Sequence, residues 1–213
     1  MPKITEEQRE TRRQQILAAA LRCFSRDGFH ATTTADIVRE SGVSQGTLYL
    51  YFANKDDIIV ALADDRHQGE AMLTALAQSE ENPVEGLAML LQYYGQALAD
   101  DARSDQRRVG IQGWAEALRN PTIHESVTEG LTSVRFAIEE LIQRGQATGR
   151  IRTDMIPEAA ARLMIAVFHG MTLQVSWGEH FAAEPVGHAL EEMVRGVLFG
   201  AVRAADFHPS KES

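Results

Sequence analysis

The chain has 213 residues, of which 44% are hydrophobic and 24% charged, a composition typical of a globular protein. Its single cysteine, Cys23, excludes an intrachain disulfide framework and a cysteine-rich zinc module. No segment approaches the roughly 20 uninterrupted apolar residues of a membrane span, and the polar start MPKITEEQRETRRQQ is not typical of a targeting peptide. We therefore expect a cytoplasmic protein with no membrane partner.

Charge is distributed unevenly along the chain. The net charge of −9 by itself argues against a nucleic-acid partner. Residues 1–55, however, carry eight Lys or Arg against six Asp or Glu, whereas the remainder carries 13 against 24. Only the N-terminal quarter is therefore suited to approach a polyanion.

Three helices are predicted in this N-terminal quarter. The first is amphipathic, with a capping box of Thr5 and Gln8 at its start and Gly28 at its end. Thr33 with Asp36 forms a second capping box and opens a short helix. The turn Ser41-Gly42-Val43 and a cap at Ser44 then lead into a third helix, Gln45 to about Phe52. Two short helices joined by a glycine turn predict a helix-turn-helix unit.

Longer helices are predicted for the rest of the chain, and few segments have the pattern of a strand. They run roughly over Lys55–Ala77, Val84–Ala99, Asp105–Leu118, Pro121–Ala147, Pro157–Trp177 and Pro185–Ala205. The fold class predicted from the sequence is all-α. Residues 208–213 are expected to form a disordered tail.

The third helix carries residue types suited to reading DNA. Leu48 and Phe52, at positions i and i+4, can anchor it, while Gln45, Gly46 and Tyr49 share another face. Glutamine can bond an adenine edge in bidentate fashion, and glycine permits close approach to the groove. Side chains suited to phosphate oxygens lie around this face: Thr34, Thr47, Tyr49, Tyr51 and Lys55. Alternatively, the two tyrosines are core aromatics.

The run TTTADIVRESGVSQGTLYLYFANKDDII, residues 32–59, resembles the DNA-binding domain of the TetR (tetracycline-repressor-like) transcriptional regulators. Phe24 and Gly28-Phe29 fit this resemblance as well. It implies a three-helix DNA-binding domain at residues 1–55, followed by a larger helical ligand-binding and dimerisation domain at residues 56–207. The DNA-facing positions that it implies are Thr34, Ser44, Gln45, Gly46, Thr47, Tyr49, Tyr51 and Lys55.

The stretch 159–171 is apolar almost all the way round and predicts a helix that must be covered on every side. The last predicted helix repeats this feature less strongly. We expect the same helix pair of a second subunit to provide the cover, which gives a homodimer; burial within one subunit is the alternative. The predicted interface residues are Leu163, Val167, Met171, Met193 and Val197.

Aromatic and methionine side chains in the middle and later helices can line an apolar ligand cavity, although each can instead belong to the core. The predicted ligand-binding residues are Met89, Tyr93, Trp114, Phe136, Phe168, His169 and Trp177. The expected effector is a small hydrophobic molecule, aromatic or cationic in view of the acidic body.

These features predict a DNA-binding transcriptional regulator, most simply a repressor that binds a near-palindromic operator as a homodimer and is released by its ligand. An all-helical enzyme is one alternative, but the histidines and acids are scattered and no His-Glu-x-x-His, Gly-x-Ser-x-Gly or glycine-rich phosphate loop is present. A protein-interaction scaffold is the other. No cofactor, metal or catalytic residue is expected.

Overall fold

The computed structural model describes residues 5–178 and 183–199, and every regular element in these ranges is a helix. The predicted all-α fold is confirmed. The α-helices are α1 Glu6–Ala31, α2 Thr34–Ser41, α3 Gln45–Tyr51, α4 Lys55–Ser79, α5 Pro83–Ala99, α6 Ser104–Glu116, α7 Pro121–Ala147, α8 Pro157–Ser176 and α9 Ala183–Phe199. A short 3-10 turn, Asp101–Arg103, precedes α6. The tail predicted at residues 208–213 lies outside the described residues.

Side-chain caps begin the first three helices as the sequence predicts. Thr5 and Gln8 form the reciprocal capping box of α1, and Thr33 and Asp36 form that of α2. Ser44 accepts a hydrogen bond from a backbone N–H in the first turn of α3. Each cap satisfies N–H groups that a helix start leaves without intrahelical partners, so these boundaries are encoded locally.

The structure of α1 differs from the prediction after Gly28. This residue has φ 83° and ψ 164°, which kinks the helix, and helical structure resumes up to Ala31. The regular helix is therefore interrupted at Gly28 as the sequence predicts, and what the sequence does not predict is the short helical segment that follows up to Ala31. The side chain of Gln112 in α6 accepts a hydrogen bond from the Phe29 N–H at 2.9 Å and donates to the Phe24 carbonyl at 3.0 Å.

The chain divides into two compact units. Of the described residues, the first unit comprises 5–71 and Asp100–Thr132, and the second comprises Met72–Ala99, 133–178 and 183–199. Helices α4 and α7 contribute residues to both. These packing units do not test the functional boundary predicted after residue 55, which stays a prediction.

In the first unit, the three N-terminal helices share a core with α6 and the adjoining parts of α4 and α7. Its large, fully buried side chains are Ile16, Leu17, Phe24, Ile37, Leu48, Ile58 and Ile123. Polar contacts also join α6 to α1. The Ser25 hydroxyl donates to Asp105 at 2.6 Å, and His30 lies 3.2 Å from Glu116. A helix from much later in the chain thus supports the helix-turn-helix region.

The second unit has a separate apolar core, which includes Ala77, Leu87, Leu90, Leu141 and Ile142. In α7, Arg144 donates to the carbonyl oxygens of Gln78 at 2.5 Å and Glu80 at 2.6 Å. These bonds satisfy carbonyl groups at the end of α4, where a cation also complements the helix dipole. Among the described helices, none combines the length and apolar character needed to cross a membrane.

Candidate nucleic-acid interface

Helix α3 is anchored to the first unit along one side. Leu48 is fully buried, and the C-cap Phe52 is 5% exposed. Ile37 of α2 and Val43 of the preceding turn belong to the same core. The opposite side of α3 is exposed at four positions, Gln45, Gly46, Tyr49 and Leu50. The face of α3 that the sequence predicts to be available for DNA is therefore exposed and not packed in the core.

Three of the predicted DNA contacts form a polar row across α2 and α3. This polar row consists of Thr34, Gln45 and Tyr49. The hydroxyl oxygens of Thr34 and Tyr49 are 3.4 Å apart. Side-chain hydrogen bonds with Thr34 and then Gln45 lower the pKa of the Tyr49 phenol. The structure thus brings together hydroxyl and amide groups of the kind that bond phosphates and base edges.

The start of α3 is formed by two further predicted contacts. The Ser44 hydroxyl oxygen accepts a hydrogen bond from the Thr47 N–H at 3.1 Å, and it lies 2.8 Å from the Thr47 hydroxyl oxygen. The space beside Gly46 is open, since the nearest atom stands 4.0 Å from the position that a Cβ would take. Ser44 therefore has a structural role as a cap, besides the DNA contact that the family resemblance implies.

Asp36 fixes the start of α2, directly beside Thr34. Thr33 donates to its carboxylate from the hydroxyl at 2.6 Å and from the backbone N–H at 3.0 Å, and Arg39 donates at 2.6 Å. These hydrogen bonds, those of Thr33 first, lower the pKa of Asp36 to about 2. The carboxylate therefore stays charged at neutral pH and holds the α2 terminus in place.

Tyr51 and Lys55 are placed differently from the other six predicted DNA contacts. Tyr51 is half-buried against the core, with its ring centroid 6.5 Å from that of Phe52. The Lys55 ammonium donates to the carbonyl oxygens of Phe29 and Thr32, the latter at 3.1 Å. Both carbonyls lie at the end of α1, where the helix dipole favours a cation. The two side chains have internal contacts, and a phosphate contact of either stays a prediction.

The sequence does not single out two residues that the structure makes conspicuous. Leu50 is 80% exposed on the outer face of α3, and its position four residues after Gly46 is a signal that could have found it. Gln112 binds the α1 kink from 83 residues away along the chain. No local spacing predicts a contact of that kind.

The predicted ligand residues are divided between the two units. Trp114 belongs to the first unit, and the others belong to the second. In the second unit, Tyr93 and Phe168 join a chain of rings with Tyr94 and His169. Successive ring centroids, in the order Tyr93, Tyr94, Phe168, His169, are 5.4, 4.7 and 6.1 Å apart. All four side chains are half-buried, so the ring cluster is neither sealed in the core nor fully exposed.

The remaining predicted ligand residues of the second unit lie apart from these ring contacts. Met89 is half-buried on α5. Phe136 is 56% exposed and has the Arg135 guanidinium 4.5 Å from its ring centroid, while Trp177 is 72% exposed. The roles predicted for these three residues stay predictions.

The predicted dimer residues lie on α8 and α9. Leu163 is 59% exposed and Met193 is 47% exposed, whereas Val167 and Met171 are half-buried. The side chain of Val197 lies outside the described residues. Two large apolar side chains thus remain uncovered within one chain, and their burial in a dimer stays a prediction.

Two family profiles match the chain. Residues 16–62 match the one described as "Bacterial regulatory proteins, tetR family", and residues 86–198 match the one described as "BetI-type transcriptional repressor, C-terminal". The first match contains all of α2 and α3 with their anchors, and the second covers more than half of the chain. The chain belongs to the TetR family of bacterial transcriptional regulators, which confirms the resemblance seen in the sequence.

Individual relatives agree with this assignment along most of the chain. The HTH-type transcriptional regulator UidR of Escherichia coli (strain K12) is 25% identical over 189 residues, which are 87% of this chain and 92% of UidR. The structure of Salmonella enterica GusR has 26% identity and a TM-score of 0.72, covering 92% of this chain and 99% of its own. A transcriptional regulator from Saccharomonospora viridis, solved in complex with choline, has 25% identity and a TM-score of 0.72, covering 89% and 98%. The family is one of regulators, and the chain is not an enzyme.

Proposed function

We propose that the protein is a ligand-responsive repressor that binds a near-palindromic operator as a homodimer. The observation that carries this proposal is the outer face of α3, where Gln45 and Tyr49 are exposed while Leu48 anchors the helix from behind. A helix held on one side can lie in the major groove, where glutamine bonds an adenine edge. The hydroxyls of Thr34 and Ser44 are suited to phosphate contacts beside it.

The second subunit is proposed to cover α8 and α9. The exposed positions of α8 include Ala159, Leu163, Ala166 and Gly170, which recur at helical spacing along one face. These four positions are small or apolar, with the exposed Arg162 and Gln174 at their edge, and water is an unfavourable environment for such a surface. Contact with the same face of a second copy buries it in an isologous interface with two-fold symmetry.

A dimer also explains how so short a recognition helix becomes specific. Two copies of α3 about 34–36 Å apart meet successive major grooves on one face of the duplex. The operator then has two half-sites related by the symmetry of the protein. Because the partner is DNA, the proposed site of action is the cytoplasm.

The ligand is proposed to bind at the ring cluster of Tyr93, Tyr94, Phe168 and His169. Ring faces attract apolar groups and also cations, and a set of rings is the usual site for a quaternary ammonium group. The complex of the Saccharomonospora viridis regulator with choline provides a chemical precedent. We therefore expect a small organic ligand with an apolar or quaternary ammonium group.

The proposed switch is a shift between two populations of the dimer. In one form the recognition helices have the spacing that the operator needs, and in the other they do not. A ligand that binds the second form more tightly lowers operator affinity, at most by the ratio of its affinities for the two forms. Helix α4, Lys55–Ser79, contributes residues to both units and is the proposed lever.

Selection of bound duplexes from a random DNA pool tests the operator proposal. The expected product is a two-fold symmetric site whose binding weakens steeply with salt, because phosphate contacts release counterions. Recovery of no preferred sequence would contradict the proposal.

Thermal melting with choline tests the ligand proposal, and 3,3-dimethylbutan-1-ol, its uncharged analogue, separates cation binding from apolar binding. We expect at least one of the two to raise the melting temperature and to weaken operator binding. Phe168→Ala should abolish both effects, whereas Ile156→Ala, at an exposed apolar side chain of the same unit outside the cluster, should retain them. An operator affinity that neither compound changes at saturation would contradict the proposed ligand class.

A further inference from the structure

We propose that Leu50 contacts the C5-methyl group of a thymine in each half of the operator and so determines base preference at that position. The inference rests on the proposed function, since it concerns the same exposed face of α3. It adds an apolar contact to the polar contacts that the sequence predicts.

The position of Leu50 suits an apolar contact with DNA. Its side chain is 80% exposed, although the other leucine of α3, Leu48, is fully buried. One helical turn earlier stands Gly46, which has no side chain to cover it. Gly46 and Leu50 therefore form an apolar strip next to the polar row.

This apolar strip continues the DNA-facing surface of the helix-turn-helix region. Helical spacing of 100° per residue places Leu50 on the same side as Gly46, and on the side opposite to the buried Leu48. A duplex that contacts Gln45 and Tyr49 through the polar row must also cover this strip. Binding of a duplex to this surface removes the Leu50 side chain from water, which favours the complex.

The chemistry of the major groove determines which base fits. The thymine methyl is the only apolar group that base pairs present on their major-groove edges, and aliphatic side chains contact it. A helix rises about 1.5 Å per residue, so Leu50 lies about 7.5 Å along α3 from Gln45, or about two base-pair steps. The thymine is therefore expected within about two base pairs of the base that Gln45 reads.

Uracil in place of thymine tests this contact directly, because the two bases differ only in that methyl group. Each thymine of the selected operator is replaced in turn, symmetrically in both half-sites, and affinity is measured for the wild type and Leu50→Ala. Removal of one buried methyl weakens binding by about fourfold, and removal of two weakens it by about 15-fold. We expect a loss of this size at one thymine per half-site for the wild type and no loss there for Leu50→Ala.

Leu118→Ala provides the matched control, because Leu118 is 86% exposed in the same unit but lies outside α2 and α3. This variant should keep the uracil sensitivity of the wild type. Leu50→Gln, which keeps side-chain length without the branched apolar end, should lose it as Leu50→Ala does.

The outcomes separate this inference from the proposed function. If the wild type binds no specific duplex, the proposed function fails. If it binds a specific duplex that has no uracil-sensitive position, or if Leu50→Ala retains the sensitivity, the thymine contact is refuted while operator binding stands. If Leu50→Ala retains the sensitivity, Leu50 instead contacts a deoxyribose of the DNA backbone or another protein residue. A Leu50→Ala protein that fails to fold would also refute the inference, because an exposed side chain does not support the fold.

Discussion

At the scale of single residues, Gln45 occupies the first position of α3 and is exposed, so its carboxamide can reach a base without disturbing the core. We expect Gln45→Ala to cost about 1–3 kcal/mol of base discrimination at one position in each half-site. DNA selection with this variant should return an operator that accepts any base there and is otherwise unchanged. Gln106→Ala, at an exposed glutamine of α6, is the control. Identical base preferences in both variants would contradict this role.

Lys55 also has a structural contact, because its ammonium binds carbonyl oxygens at the end of α1. Lys55→Met removes these charge-assisted hydrogen bonds and should lower the free energy of unfolding by about 1–3 kcal/mol. Chemical denaturation monitored by circular dichroism measures the loss. Lys55→Arg, which keeps the charge and the donors, should recover part of it. A Lys55→Met protein as stable as the wild type would show that the contact with α1 contributes nothing.

The comparison of Gln45 with Lys55 and Tyr51 shows how far sequence predicts a site. The exposed face of α3 follows from the spacing of its apolar anchors, and Gln45 lies where that spacing puts it. Lys55 and Tyr51 fit the same motif, but their side chains are long enough to reach other elements. Their contacts depend on where α1 and the core lie, which is a property of the tertiary structure.

At the scale of elements, the kink of α1 and the side chain that binds it form one structural device. Gln112→Leu leaves the Phe29 N–H and the Phe24 carbonyl without their partner, which should lower the free energy of unfolding by about 1–3 kcal/mol. Hydrogen exchange at the Phe29 amide should become faster. Gln106→Leu makes the same chemical change at an exposed position of α6 and should alter neither quantity. Equal stability of the two variants would contradict the proposal that Gln112 stabilises the kink of α1.

Helix boundaries were largely predictable, and the helical segment after Gly28 was not. The caps of α1, α2 and α3 use side chains three residues away, so the sequence contains them in readable form. The predicted bounds of α4 to α8 agree with the structure within two residues. Gly28 reads as a helix end because glycine commonly stands there. The helical segment that follows Gly28, where Gln112 bonds two backbone groups of α1, has no such local signal.

At the scale of the whole molecule, the proposed homodimer depends on the exposed face of α8. Leu163→Glu places a charge on this face in both subunits, and we expect the dissociation constant of the dimer to rise by at least about 100-fold. Sedimentation velocity over a range of protein concentrations measures the change. Leu118→Glu, at another exposed leucine, should leave the dimer intact. An unchanged dissociation constant in Leu163→Glu would show that this face of α8 is not part of the interface.

The central claim is that one dimer reads two half-sites with two copies of α3 on the same face of DNA. Operator affinity should therefore be measured before and after insertion of five base pairs, half a helical turn, between the half-sites. We expect the insertion to reduce affinity to that of a single half-site, because the second recognition helix then meets the wrong face of the duplex. An affinity that does not depend on the spacing would contradict the claim.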